Sequence, residues 1–352
     1  MLAFSSRVYL FALKGNDMKK LNTDSITTTV YQISSEASQG VGIQESEDGY
    51  VVGTLSLYGG SEAGAIVRLK VATSSTDVIT DGLTRNCEAR HMALGNDGAI
   101  YFTEGNINCP LGRIVPSTGI IEEIEITPAV PSRTLGYVAV DKKTGYLWIT
   151  ARRFDTTQGN YQTVIKYDPS TKNMSEYGIK TVSISSFPGD ITVDGDSTVW
   201  FVSMDKKGLY KFIPTTQEFS YFETNIEDNI SLNSITLDLN GSIWFTDTTY
   251  NSNAGAIGRF NILTTEYEVF TEGLNNGPPS DIVCMVDGSL WFNEHSGEFL
   301  GTVDQNTGII NELSTNAPGQ LFGQGDLCVS KIYSNSIWSI YQDNAISLHE
   351  LV

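Results

Sequence analysis

The sequence predicts an all-β protein: a seven-bladed β-propeller of four-stranded antiparallel blades, with eight incomplete blades as the alternative. The first observation behind this is a repeated phrase. Asp97-Gly98-Ala99-Ile100-Tyr101-Phe102-Thr103-Glu104 returns as Asn240-Gly241-Ser242-Ile243-Trp244-Phe245-Thr246-Asp247 and as Asp287-Gly288-Ser289-Leu290-Trp291-Phe292-Asn293-Glu294. The second is its period. Weaker copies surround Val52, Trp148, Trp200 and Trp338, so the anchors at 52, 101, 148, 200, 244, 291 and 338 are 44 to 52 residues apart. Strand-forming residues at that period describe propeller blades. Seven units around one axis form one body, which overrides the two or three domains that 352 residues would otherwise suggest.

The elements of one unit follow in order. Asp281 to Val286 is an apolar run bounded by Pro279 and the Asp287-Gly288 turn, and reads as a buried inner strand. Ser289 to Glu294 is the second strand, with Trp291 as its large core residue. After His295-Ser296-Gly297, Phe299 to Asp304 is the third strand. Asn306-Thr307-Gly308 turns the chain into the outer strand, Ile309 to Leu313. A Trp or Phe recurring at one strand position is expected to pack blade against blade.

Closure follows from the chain ends. The last unit stops after its third strand, Ala345 to Val352, and the run Thr27 to Ile33 suits the missing outer strand. Joining the ends in this way removes exposed strand edges. Residues 8–33 also align without gaps to residues 199–224, so residues 1–24 are expected to be a partial-blade hairpin or extension. Residues 25–352 are then the single propeller domain.

The bulk composition narrows the partners. A net charge of −19 repels nucleic acid and anionic membrane and suits cations or neutral small ligands. No apolar run approaches the roughly 20 residues of a membrane span. Met1 to Lys14 lacks the pattern of a signal peptide. Cys284 and Cys328 lie in apolar strands and read as buried thiols. Cys87 and Cys109 fall in loops at the same end of one repeat, where a disulfide is geometrically reasonable. With the sequons at Asn173, Asn229 and Asn240, that pair makes secretion the expectation and the cytoplasm the alternative. A monomer is expected.

Two positions per blade point at one end of the axis: the start of the first strand and the end of the second. Asp190, Asp281 and Asp326 take the third place in three first-strand starts, and Ser234 takes it in a fourth. Asp190, Asn233, Asp281 and Asp326 offer hard oxygen ligands that suit calcium or magnesium. The competing reading is that acids at strand starts accept nearby backbone amides and fix the turn. His91, in the same blade as Glu104, is a general-base candidate, and His295, after Glu294, is a second. The long loops at this end carry Tyr58, Arg152, Phe154, Tyr161 and Tyr250. With Arg90, Tyr137 and Glu294, these form a candidate ligand-binding set. Phosphate loops, zinc-type Cys/His clusters and the Gly-x-Ser-x-Gly elbow are absent from the sequence.

The repeat resembles that of the streptogramin B lyase (virginiamycin B lyase) family. Ala99 to Glu104 is followed by Leu111-Gly112-Arg113-Ile114, Thr118-Gly119 and Ile120-Ile121-Glu122-Glu123, and Ile243 to Asp247 by Ala256-Ile257-Gly258-Arg259-Phe260. The likeness runs through most of residues 35–352 and implies a seven-bladed propeller. It also implies magnesium-assisted elimination that opens a cyclic lactone. The family's base is a His at the last blade's first-strand start, with a Glu soon after that blade's Trp. Here Gly325 stands at the His position, and Tyr341 and Gln342 follow Trp338 without a Glu. A more distant resemblance links the chain to gluconolactonase-type propellers, which have six blades and hold a divalent ion; Asn233 and Asp281 fit that scheme loosely. Two functions follow as expectations. One is an enzyme that eliminates, ring-opens or rearranges a small, largely apolar or lactone-like metabolite. The other is a non-catalytic propeller that binds a small ligand or a protein.

Overall fold

In the computed structural model, the described residues are 18–22, 26–33, 39–56, 64–85, 87–127, 132–154, 159–179, 188–203, 207–224, 232–249, 254–295, 299–315, 325–341 and 345–351. They form seven antiparallel sheets arranged as the blades of a propeller. In the sixth, Pro279–Cys284 pairs with Leu290–Glu294, then Phe299–Val303, then Ile310–Ser314. Blades one to five repeat this order from the inner to the outer strand. The eight-blade alternative is not realised among the described residues. Their one helical piece is a single turn, Val71–Thr73.

The seventh blade joins both ends of the chain. Leu327–Val329, Ser336–Tyr341 and Ala345–Leu351 are its first three strands, and Ile26–Gln32 is the fourth. The register runs from Ile26 opposite Leu351 to Gln32 opposite Ala345. Met18–Asn22 lies outside that strand as a fifth.

Repeated letters have repeated jobs. Seven apolar clusters, one per interface, lie between neighbouring blades. Trp148, Trp200, Trp244 and Trp338 are each fully buried there. The turn acid fixes the second-strand aromatic: Trp200 Nε1 donates to Asp194 and Trp244 Nε1 to Asp238, both at 2.9 Å, and Tyr101 Oη donates to Asp97 at 3.0 Å. In the seventh blade Glu45 of the first blade takes over. It accepts from Trp338 Nε1 at 2.8 Å, from Ser330 Oγ at 2.9 Å and from the Lys331 amide, clamping the last blade to the first. The third-strand glycines answer the second-strand Phe. A Cβ at Gly112, Gly258 or Gly301 would fall 2.0–2.1 Å from the ring of Phe102, Phe245 or Phe292.

The Thr of the repeat ties blade to blade. Thr103 Oγ1 donates to Gly136 O at 2.6 Å, Thr150 Oγ1 to Gly189 O at 2.9 Å and Thr246 Oγ1 to Ser280 O at 2.7 Å, each in the next blade. Asn293 does the same with Gly325 O at 2.8 Å. Each such bond contributes on the order of 1 kcal/mol, and losing one would strand a buried carbonyl.

Cys87 and Cys109 are joined in a disulfide. Cys328 is a buried thiol, whereas Cys284 is only half-buried. No helix among the described residues is long and apolar enough to cross a membrane.

His349 sits in the closing seam. Its Nδ1 meets Thr28 Oγ1 of the N-terminal strand at 3.0 Å and its Nε2 meets Ser339 Oγ at 2.8 Å. Burial pushes its pKa down to about 3, so the imidazole is neutral in the fold. The unfolded chain takes up this proton near pH 6.5. The seam's stability is therefore intact above pH 6.5 and is lost as pH falls toward the folded value. His349→Gln removes this titration. The variant's thermal midpoint relative to the parent is expected to improve as pH drops from about 7 to about 4; a pH-independent difference would contradict the buried neutral imidazole.

Candidate functional site at the propeller axis

In six of the seven blades the first strand breaks its pairing with the second at the same place. The register slips between Gly40 and Ile43, Ala89 and Met92, Leu135 and Val138, Pro188 and Ile191, Leu232 and Ile235, and Pro279 and Ile282. A bulge leaves a residue unpaired and re-aims its side chain. The second residue of the break is Gly42, His91, Tyr137, Asp190, Ser234 and Asp281 in turn. Asp326, just before paired Leu327, is the seventh. These seven form a ring around the axis.

Contacts around the ring follow blade order. His91 stacks on Tyr137, with ring centroids 3.5 Å apart at 18°. Ser234 Oγ lies 3.0 Å from Asp190 Oδ2 and also bonds Asp281 Oδ1. His91 Nδ1 lies 3.0 Å from Asp326 Oδ2 and 3.2 Å from Oδ1, although the first blade stands between them. The first blade's ring place is held by Gly42, which carries no side chain. A Cβ there would fall 2.3 Å from the Arg90 carbonyl oxygen.

Hydrogen-bond capacity fixes the protons. The Asp190 oxygens accept the amides of Ile191 at 2.7 Å and Ile235 at 2.8 Å. Those of Asp281 accept Ile282 at 2.9 Å and Leu327 at 2.6 Å. Ser234 has a single hydroxyl proton and touches both acids. One of the two contacts therefore uses a carboxyl proton, and one acid of this pair is neutral. The electrostatics agree. Burial, with the Asp326 charge nearby, raises Asp190 to about 6 against the pull of the two amides. Burial, then Asp326 and Asp190, hold Asp281 well above the usual carboxylate range. Burial, then Asp190, Asp326 and Asp281, keep the Tyr137 phenol protonated. The ring still opens to the channel: the side chains of His91 and Asp326 are 13% and 23% exposed.

The other expected site residues lie elsewhere or act otherwise. Asn233 is one residue out of register; its Nδ2 donates to Ser280 O at 2.9 Å, and Ser234 holds the ring place. Sharing the third position with three aspartates was the signal for Ser234. Glu104 is fully buried beside the Cys87–Cys109 sulfurs. Arg90 pairs with Glu88 at 2.8 Å. Arg152 lies 4.3 Å above the ring centre of Phe154. Tyr161 is buried and accepts a 3.2 Å bond from Arg153. Glu294 is buried at its second-strand end, and His295 is half-buried with its amide donating to Pro278 O at 2.9 Å. Tyr58 and Tyr250 lie outside the described residues.

Of the four residues expected to hold calcium or magnesium, Asp190, Asp281 and Asp326 share the ring and Asn233 does not. Such ions need six or more convergent oxygens. Each oxygen of Asp190 and of Asp281 already accepts a backbone amide, which leaves fewer free lone pairs for an ion, and Asn233 faces the next strand.

No protein-family model and no curated protein matches the chain. Solved structures do. Virginiamycin B lyase from Staphylococcus aureus superposes with a TM-score of 0.75 at 19% identity, over 93% of this chain and 100% of that one. An oligogalacturonate lyase in complex with manganese gives 0.67 at 12% identity, covering 96% of each chain. A putative gluconolactonase gives 0.52 at 13%, covering 92% of this chain and 91% of that one. The chain thus has a virginiamycin B lyase-like propeller fold.

Two outcomes follow. The folded pKa of Asp190 exceeds its unfolded value near 3.9, so its contribution is full below about pH 4 and is lost as pH rises through about 6. Asp190→Asn should therefore gain stability relative to the parent between about pH 4 and pH 7; thermal melts showing a constant difference would refute the raised pKa. The thermal midpoint is also expected to be indifferent to EDTA and to restored calcium or magnesium. A reversible rise with either ion would place a cation in the ring.

Proposed function

We propose that the protein is an enzyme acting by proton transfer on a small, largely apolar or lactone-like metabolite at the mouth of the channel. The carrying observation is the His91–Asp326 pair, held against Tyr137 within a ring that also contains a neutral acid. A carboxylate at Nδ1 selects the tautomer with its lone pair on Nε2, the form that takes a proton from substrate. When His91 gains that proton, Asp326 stabilises the imidazolium. The protonated partner of the Asp190–Ser234–Asp281 group supplies the complementary acid for a developing oxyanion or leaving oxygen. Neighbouring groups whose environments separate their protonation states make an acid–base pair.

Base and acid on one ring suit elimination, ring-opening or rearrangement, all of which begin by moving a proton next to a carbonyl or leaving oxygen. The similarity to virginiamycin B lyase and to a putative gluconolactonase supports the substrate class. The disulfide supports a secreted protein.

The test is turnover of a panel of lactones and cyclic esters, followed by mass spectrometry to separate elimination from hydrolysis. His91→Gln is expected to lower kcat by roughly 10²- to 10⁴-fold, the usual share of a positioned base, with a smaller effect on KM. Asp326→Asn should lower kcat with a smaller effect on KM. Unchanged turnover in His91→Gln would remove the proposed base. Ligand binding without turnover in the parent protein would make the propeller a binding module.

A further inference from the structure

A second cluster of reactive side chains lies off the axis, in the second blade. Glu104 ends Ile100–Glu104, and its carboxyl oxygens have no hydrogen-bond partner although the residue is 0% exposed. A buried carboxyl left in this way is costly unless something occupies the place in front of it. Within 4.8 Å of it, and of one another, are the sulfurs of Cys87 and Cys109, both buried.

We propose that reduction of the Cys87–Cys109 disulfide turns this cluster into a site for a soft divalent metal ion, zinc in the first instance, held by two thiolates and the Glu104 carboxylate. Two sulfurs and one carboxylate are a donor set for tetrahedral zinc, with the fourth place taken by water. The ring acids offer only oxygens, whereas this cluster offers two sulfurs, so the two sites differ in the metals they would accept.

Both loops are held by bonds that do not involve the disulfide. Ala89, two residues after Cys87, pairs with Glu104, and the Gly105 amide donates to Glu88 O at 2.8 Å. The Thr84 hydroxyl donates to Glu123 at 2.7 Å, anchoring the loop before Cys87. On the other side, the Asn108 amide donates to Arg133 O at 2.6 Å and Asn108 Oδ1 accepts the Arg133 amide at 2.9 Å. After reduction the thiols therefore stay where the carboxyl can share a ligand with them.

The protons and electrons balance. A dithiol reductant passes two electrons and two protons to the disulfide and becomes a disulfide itself. Burial, then Glu123, raises Glu104 to about 9, so its carboxyl is protonated near neutrality. The arriving metal displaces one proton from each thiol and one from Glu104.

Cobalt(II) is the probe, added anaerobically to protein reduced with a dithiol and freed of reductant. The reduced protein is expected to take up one equivalent, giving thiolate-to-cobalt charge-transfer absorption that zinc displaces. The oxidised protein should give none. Cys109→Ser should abolish the band, and Glu104→Gln, which keeps both thiols, should weaken cobalt binding by at least about tenfold. A folded, reduced protein without the band would overturn the proposal, as would unchanged affinity in Glu104→Gln. If reduction unfolds the protein, zinc should restore its circular dichroism; failure to do so overturns the proposal equally.

Discussion

Everything in this molecule depends on closing seven blades around one axis. A blade is a small twisted sheet with two apolar faces, and neither face is covered until a neighbour stands on each side. The ring supplies those neighbours only when it is complete, which is why the seventh blade borrows Ile26–Gln32 and why Glu45 reaches across to Trp338. The same closure brings the six bulge residues and Asp326 to one ring. A chemical site at the axis is thus a consequence of the architecture, and its content is set by one residue per blade.

Fixing the ring and activating it use the same groups. The carboxylates of Asp190 and Asp281 hold amides of their own and the adjacent blade, so they are structural acceptors. Enclosing them also raises the cost of their charges, and the shared Ser234 hydroxyl then leaves one proton on the pair. The competing readings of the strand-start acids, fixing a turn and serving a chemical site, are in this sense not exclusive. The bonds that fix the bulges are also what enclose the acids beside the His91 ring.

The blades were legible because their constraints are local. The turn acids, the Trp anchor, the Thr that bonds the next blade and the Gly under the Phe ring all fall within one unit and recur with it. The Cys87–Cys109 pairing was legible for the same reason, since both residues flank one pair of strands. The site was only partly legible. Asp190, Asp281, Asp326, His91 and Tyr137 were singled out from their places in the repeat. What binds them together is not local: His91 meets Asp326 at a sequence distance of 235 residues, past the first blade. A one-residue offset was enough to put Asn233 in the place that Ser234 holds, because a bulge changes which residue faces the axis. The buried Glu104 looked like a partner for His91 because both belong to one blade, but the end of a second strand lies farther from the axis than the bulge of a first.

The position of the proposed base is itself informative. The resemblance to the lyase family leads one to seek a His at the start of the last blade's first strand, where this chain has Gly325. That glycine is itself closely packed, since a Cβ there would fall 2.1 Å from Ile340 O. The imidazole comes instead from the second blade, and the last blade contributes the carboxylate that orients it. Bulge positions in a closed ring are equivalent by rotation, so a base and its orienting acid can be supplied by different blades while their meeting point stays near the axis. On the proposed reading, loss of the expected residue at one blade therefore does not empty the site. It changes the direction from which the base approaches and the wall against which it rests, here Tyr137, and those two features decide which substrates present a proton to it.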